Sequence, residues 1–233
     1  MLDFFDIFDR EHEAFIAACE RVSPSASVPG CPGWTIGDLL YHLYEVQYLW
    51  HRVSAEGRSS FEGLSMPTRP SDEQLVPVLR GEHVSYTAWL RANDPSSEHW
   101  TWTGVRDFAW LVRRMAHETA MHRVDADQAR GQATAVESSL ASDGVDEFLT
   151  VFRNAANGEP GGSVHVHCTD VDGEWTISAD GEVRREHAKG DCAIRGAASD
   201  LLLVLWRRAP LSTCEVIGDA EVAARFIAGS SLD

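Results

Sequence analysis

Apolar positions recur at helical spacing through the first two-thirds of the chain and change to two-residue alternation near residue 158. Phe5, Phe8, Phe15, Cys19 and Val22 form one stripe, which predicts a helix over 2–22. Ser23 to Gly33 holds three prolines and two glycines and reads as a loop. Thr35 is a good N-cap, with Asp38 three residues on to satisfy free N–H groups, so the next helix is expected to run from there to residue 56. Its core face carries Ile36, Leu39, Leu43, Val46 and Trp50. A loop over 57–70 precedes a third helix over 71–92, with Leu75, Leu79, Tyr86 and Trp89 facing inward and Pro77 bending its first turns. Residues 93–103, including Trp100 and Trp102, read as a loop. A fourth helix over 105–129 stops before Gly131, and a shorter fifth over 142–155 is expected to close this half. Long helices with one apolar stripe each predict a four-helix bundle.

Beyond Gly158 to Ser163 the texture is that of strands. Val164 to Cys168 alternates with period two, Val171-Asp172-Gly173 is a turn, and Trp175 to Ser178 and Val183 to His187 follow as strands. Residues 197–208 read as a very apolar helix, Cys214 to Ile217 as a short strand, and Asp219 as the cap of a last helix ending at Gly229. The expected organisation is therefore a helical bundle over 1–157 and a small α+β module over 158–233.

Composition narrows the function classes. With 44% hydrophobic and 24% charged residues the chain is an ordinary globular one, and no apolar run reaches the roughly 18 residues a membrane span needs. A net charge of −16 argues against nucleic acid or an anionic membrane as a partner. The acidic start, Met-Leu-Asp-Phe-Phe-Asp, is unlike a secretory signal, so a cytoplasmic protein is expected. Five scattered cysteines without a Cys-x-x-Cys pair disfavour finger-type zinc and dithiol redox chemistry.

The chemistry concentrates in His117-Glu118-Thr119-Ala120-Met121-His122. At about 100° per residue, Glu118 and His122 lie about 40° apart on one helix face, whereas His117 and His122 lie about 140° apart. The spacing is not that of the His-Glu-x-x-His zinc proteases, whose histidines are four apart. Glu118 and His122 need a third ligand from another helix, and His42, one turn after Asp38, is the leading candidate. Such a two-histidine, one-carboxylate set leaves a position open, as catalytic zinc does. Asp125, three residues past His122, would orient a ligand from behind. On the residues alone the alternative is a chance Glu/His spacing beside a solvent-facing His42. Glu45 raises the thought of a two-metal site, but no second carboxylate pair accompanies it. Cys31 sits among Pro and Gly and reads as a structural loop residue, His165 and His167 as a two-histidine ladder lacking a third ligand, and Trp100, Trp102 and Trp110 as core or pocket lining.

The stretch from Val28-Pro29-Gly30-Cys31-Pro32-Gly33-Trp34-Thr35 through Asp38-Leu39-Leu40-Tyr41-His42-Leu43 resembles the opening signature of the mycothiol-dependent maleylpyruvate isomerase family, DinB-like four-helix-bundle metalloenzymes of actinobacteria. Arg114 to Ala126 resembles the second signature, and Asp200 through Ala220 the small, sterol-carrier-like C-terminal domain. The resemblance implies zinc or another divalent metal on His42, Glu118 and His122, with mycothiol as a thiol cosubstrate. It also implies an arginine of the C-terminal domain facing the site. Trp206-Arg207-Arg208 departs from the usual Trp-Gly-Arg, so Arg208 is the match and Arg207 the rival. Arg114, Asp125 and Arg208 are expected beside the reacting centre, and Arg123 and Arg207 are expected to hold the cosubstrate.

A free thiol, with a pKa of about 8.5, is mostly protonated at neutral pH, and a zinc ion would deprotonate it. Thiolate addition to a cis double bond, rotation and elimination would isomerise maleylpyruvate, and an S-transferase would stop after addition or displacement. The competing expectations are a hydrolase or lyase using zinc-bound water, with Asp38 or His117 as base, and a non-catalytic metal-binding module that senses a ligand. Expected partners are a small electrophilic molecule and a low-molecular-weight thiol, in a monomer or small homo-oligomer.

Overall fold

A computed structural model of the chain describes residues 2–153 and 161–229, which form two compact units, 1–134 and 135–233. In the first unit α1 (Phe4–Cys19) is capped by Asp3, whose carboxylate accepts the N–H groups of Phe5 and Asp6. α2 (Ile36–Ala55) opens on the expected capping box: Thr35 accepts the Asp38 N–H while Asp38 accepts that of Thr35. α3 (Asp72–Ala92) carries Pro77 inside its second turn, and α4 (Phe108–Ala129) starts from Asp107, which accepts the Trp110 N–H at 2.8 Å.

α4 packs on α1 and α2, and α2 on α3. Their shared core holds Phe15, Ile16, Ile36, Leu39, Leu43, Leu75, Leu79 and Ala126, from all four helices. Nearly every residue of α4 from Leu111 to Asp127 is buried, polar ones included. A helix covered all round must satisfy its charged groups internally, and this one carries most of the unit's buried ionisable side chains.

The expected loop over 93–103 contains a hairpin instead. β1 (Glu98–Thr101) pairs antiparallel with β2 (Gly104–Asp107), which displaces the start of α4 to Phe108. Trp102 and Thr103 form its tip, Gly104 has φ +102°, and Thr101 Oγ1 donates to the Gly104 carbonyl at 2.7 Å. A Trp-Thr tip lacks the Asn-Gly or Asp-Gly signal of tight hairpins, which is why the pattern did not show it.

The second unit has a five-stranded sheet in the order β5-β4-β3-β6-β7. Its strands are β3 (Val164–Cys168), β4 (Glu174–Ile177), β5 (Val183–Arg184), β6 (Cys192–Gly196) and β7 (Glu215–Gly218). Only β3 and β6 run parallel. The sequence reading missed β6, although Cys192 and Ile194 alternate inward with Ala193 and Arg195. Helices α5 (Ser138–Glu147), α6 (Ala198–Leu205) and α7 (Ala220–Ala228) complete the unit.

α5 continues as one wider helical turn, Phe148–Phe152, and packs on α6, with Phe148 and Phe152 edge-on to Trp206 at 5.0 and 4.8 Å. It therefore belongs to the second unit, not to the first as expected. The division expected at 157/158 lies outside the described residues; the compact units part between Thr134 and Ala135. Gly218 has φ +91°, and a Cβ there would stand 2.4 Å from the Asp191 carbonyl oxygen. Gly218→Ala is expected to destabilise this unit by about 2 kcal/mol or more, read as a lowered thermal midpoint.

Candidate metal centre

Three side chains from two helices of the first unit converge on one point. Glu118 Oε1 lies 3.1 Å from His42 Nε2 and 3.2 Å from His122 Nε2. Glu118 and His122 share a face of α4 because they are one turn apart, and His42 faces them from α2. The two imidazoles stand edge-to-face at 4.9 Å, which aims both Nε2 atoms at the same volume. His42 and Glu118 are half-buried and His122 is buried, so the cluster opens on one side only.

Two of the three side chains are held from behind. His122 Nδ1 lies 2.9 Å from Asp125 Oδ2, a carboxylate with no solvent exposure, which holds a proton on Nδ1 and turns Nε2 toward Glu118. Cys31, in the loop leading into α2, donates its thiol to the same Asp125 oxygen at 3.4 Å. This is the structural use its Pro/Gly surroundings suggested. Arg114, buried one turn before Glu118, donates to Glu118 Oε2 at 2.7 Å and leaves Oε1 facing the imidazoles. Trp34 covers the cluster, its ring 4.9 Å from His42 and 6.4 Å from His122. Nothing local in the sequence tells which aromatic of a loop folds over a site, so Trp34 carries no signal of this role.

The electrostatics mark a place built for positive charge. Burial works against a charged Glu118, yet hydrogen bonds from His122 and His42 and the Arg114 guanidinium hold its carboxyl well below the ordinary range. Burial also opposes a charged His122, but Asp125, Cys31 and Glu118 hold that imidazole well above its ordinary value. A divalent cation is the natural replacement for a proton lodged between two carboxylates.

The other expected residues are distributed differently. His117 is buried edge-on to Phe4 at 5.9 Å, on another side of α4. Asp38 is engaged in the capping box and with Arg69, and its carboxyl is lowered chiefly by the Thr35 N–H. Arg123 turns to α1, with Nε 2.5 Å from Glu11 and Nη1 3.2 Å from Asp127 and 2.9 Å from Thr134. In the second unit Arg207, at φ +58°, donates to the carbonyls of Ile227 and Ala228 at the end of α7, and Arg208 donates to the Trp206 carbonyl at 2.9 Å. Arg207 thus satisfies the free carbonyls of a helix C-terminus. Glu45 joins no cluster of metal-binding atoms among the described residues.

Comparison with known proteins now bears on this geometry. Residues 5–127 match the mycothiol maleylpyruvate isomerase N-terminal domain, and residues 139–225 match the companion C-terminal domain. The chain belongs to the mycothiol maleylpyruvate isomerase family. This is a family of enzymes, and the match spans both units. A crystal structure of the mycothiol-dependent maleylpyruvate isomerase superposes with a TM-score of 0.57 over 86% of each chain at 12% identity. A histidine-to-alanine mutant of the mycothiol-dependent maleylpyruvate isomerase superposes with a TM-score of 0.58 over the same shares. At that identity the structures establish the shared fold. No curated protein matches the sequence. Among the described residues no helix is long and apolar enough to cross a membrane.

Removing the support behind His122 tests the arrangement. Asp125→Asn keeps the shape but ends the carboxylate–imidazole pairing, and metal affinity is expected to fall about 10- to 100-fold, measured by competition with a chromophoric chelator.

Proposed function

We propose that this protein is a zinc-dependent, mycothiol-using isomerase or S-transferase of the cytoplasm, acting on a small electrophile. The observation that carries the reading is the convergence of His42 Nε2, His122 Nε2 and Glu118 Oε1, with His122 oriented by Asp125 and Glu118 by Arg114. Two neutral nitrogens and one carboxylate suit zinc and leave a coordination position for a further ligand. Cys31, His122 and Asp125 also bring ligand atoms together, but there Asp125 is fully buried and holds His122 from its Nδ1 side, away from the half-buried His42. The half-buried His42 side is where a cosubstrate can enter.

When bound, the metal supplies the Lewis acidity that turns a thiol of pKa about 8.5 into a thiolate at neutral pH. The chain's own residues do the rest. With a cation in place, His42 and His122 would turn their Nε2 lone pairs to it, and Asp125, 2.9 Å from Nδ1, would keep the His122 proton there. Arg114 neutralises the outer Glu118 oxygen and so acts as a positioning residue. Trp34 shields the imidazoles from water on its side. A hydrolytic reading needs a general base, and Asp38 and His117 are both engaged elsewhere. Free rather than disulfide-bonded cysteines accord with a reducing interior.

The test is turnover by zinc-loaded protein with maleylpyruvate and, separately, monochlorobimane, each with and without mycothiol. Thiol-dependent consumption of either is the expected result. Turnover that ignores the thiol would support water chemistry, and no turnover with any electrophile would support a binding module.

A further inference from the structure

The second unit holds another cluster that the activity above does not use. His165 and His167 lie two apart on β3 and so point to one face of the sheet. Glu174 stands opposite His167 in the β3–β4 register, and His187 reaches the same point from the chain after β5. All three imidazoles address a single atom. His165 Nε2 and His167 Nδ1 each lie 2.9 Å from Glu174 Oε1, and His187 Nδ1 lies 2.5 Å from it. The His165 ring stands edge-on to both neighbours, at 4.9 Å from His187 and 5.8 Å from His167.

A carboxylate oxygen has two lone pairs, so three N–H donors on one oxygen are more than it can accept. Around a cation the same nitrogens would use their lone pairs instead of their protons. The ligand atoms of His165, Glu174 and His187 already lie within 4.8 Å of one another. Neighbouring positive charge is engaged elsewhere: Arg185 is paired with Asp146, and Arg184 with Glu182 and Glu186. His165 is buried while His187 is exposed, so the shell can load from solvent and close over its inner ligand.

We propose that His165, Glu174 and His187, with His167 bonded to the same Glu174 oxygen, form a second site for a divalent transition ion of the zinc class. Imidazole donors disfavour calcium and magnesium, which take oxygen ligands. Two further features agree. Burial lowers the His165 pKa and keeps it a neutral ligand, and the three imidazoles, His187 foremost, hold the Glu174 carboxyl near 2. A bound ion would tie β3, β4 and the segment after β5 together, and would be released by acid as the imidazoles take up protons.

The full-length, chelator-stripped chain is titrated with zinc by calorimetry in a His42→Ala/His122→Ala background, which silences the first cluster. One equivalent is expected to bind. Adding His187→Ala, an exposed change that leaves the fold intact by circular dichroism, should weaken that binding at least tenfold, and His167→Ala should weaken it in turn. Zinc uptake that is absent in the double variant, or unchanged by both further substitutions, overturns the second site. Neither result bears on the first cluster, whose own test is the loss of one equivalent between wild type and the double variant.

Discussion

His42→Ala is expected to lower the metal content of the purified protein by one divalent ion per chain and to abolish thiol-dependent turnover. The expected loss exceeds the about 10- to 100-fold that follows removal of a ligand's supporting carboxylate, because a ligand itself is gone. The geometry makes this the cleanest probe of the centre. His42 comes from α2, its side chain is 30% exposed, and Glu118 keeps both Arg114 and His122 when it is removed. The helices should therefore pack as before. His122→Ala should also lose the ion, but it takes a partner from Asp125, which is fully buried, so a lower melting temperature is expected with it. Elemental analysis of both variants, with circular dichroism as the control for folding, checks the prediction. Retention of the wild-type metal content in both would refute the His42–Glu118–His122 centre.

What the sequence made legible follows the range of the physics involved. The Thr35/Asp38 capping box and the Glu118/His122 pair are local, set by spacings of three and four, and both stand in the structure as read. His42 lies 76 residues from Glu118, and spacing could nominate it only because it sits one turn past a well-marked helix start. The resemblance to a metalloenzyme family supplied what spacing lacked. A stripe of apolar residues says that a helix face is covered, not by what, so the stripe of α5 does not tell that its partner is α6. Nothing in the period-two pattern of His165 and His167 announces that Glu174 and His187 will meet them, because strand pairing and a following turn bring those groups in. Trp34 is the same kind of case, a loop residue whose role is decided by folding over α2 and α4.

Arg123 shows how sequence proximity misleads, and its substitution carries the largest expected effect on stability. One residue past His122, its side chain is rotated by about 100° from the ligand face. It lies instead between Glu11 of α1 and Asp127 of α4, all three side chains nearly buried, with Thr134 as a further acceptor. Arg123→Met fills much of the volume but leaves two buried carboxylates without their shared cation. Breaking such a pair costs about 3–5 kcal/mol. Glu11 retains Arg10 at 3.2 Å and Asp127 retains Arg130 at 2.8 Å, which offset part of that penalty and place the expectation near the lower figure. At about 2–4 °C per kcal/mol for a chain of this size, the melting temperature should fall by roughly 10 °C. Metal content and the KM for mycothiol should be unchanged in the protein that remains folded. A large rise in that KM with unaltered stability would mean that Arg123 grips the thiol cosubstrate and that the buried cluster is not its main engagement. Replacing Glu11, Arg123 and Asp127 together with apolar residues separates the two readings further. An ion cluster that serves packing alone is tolerated when removed whole, because no charge is left buried and unpaired.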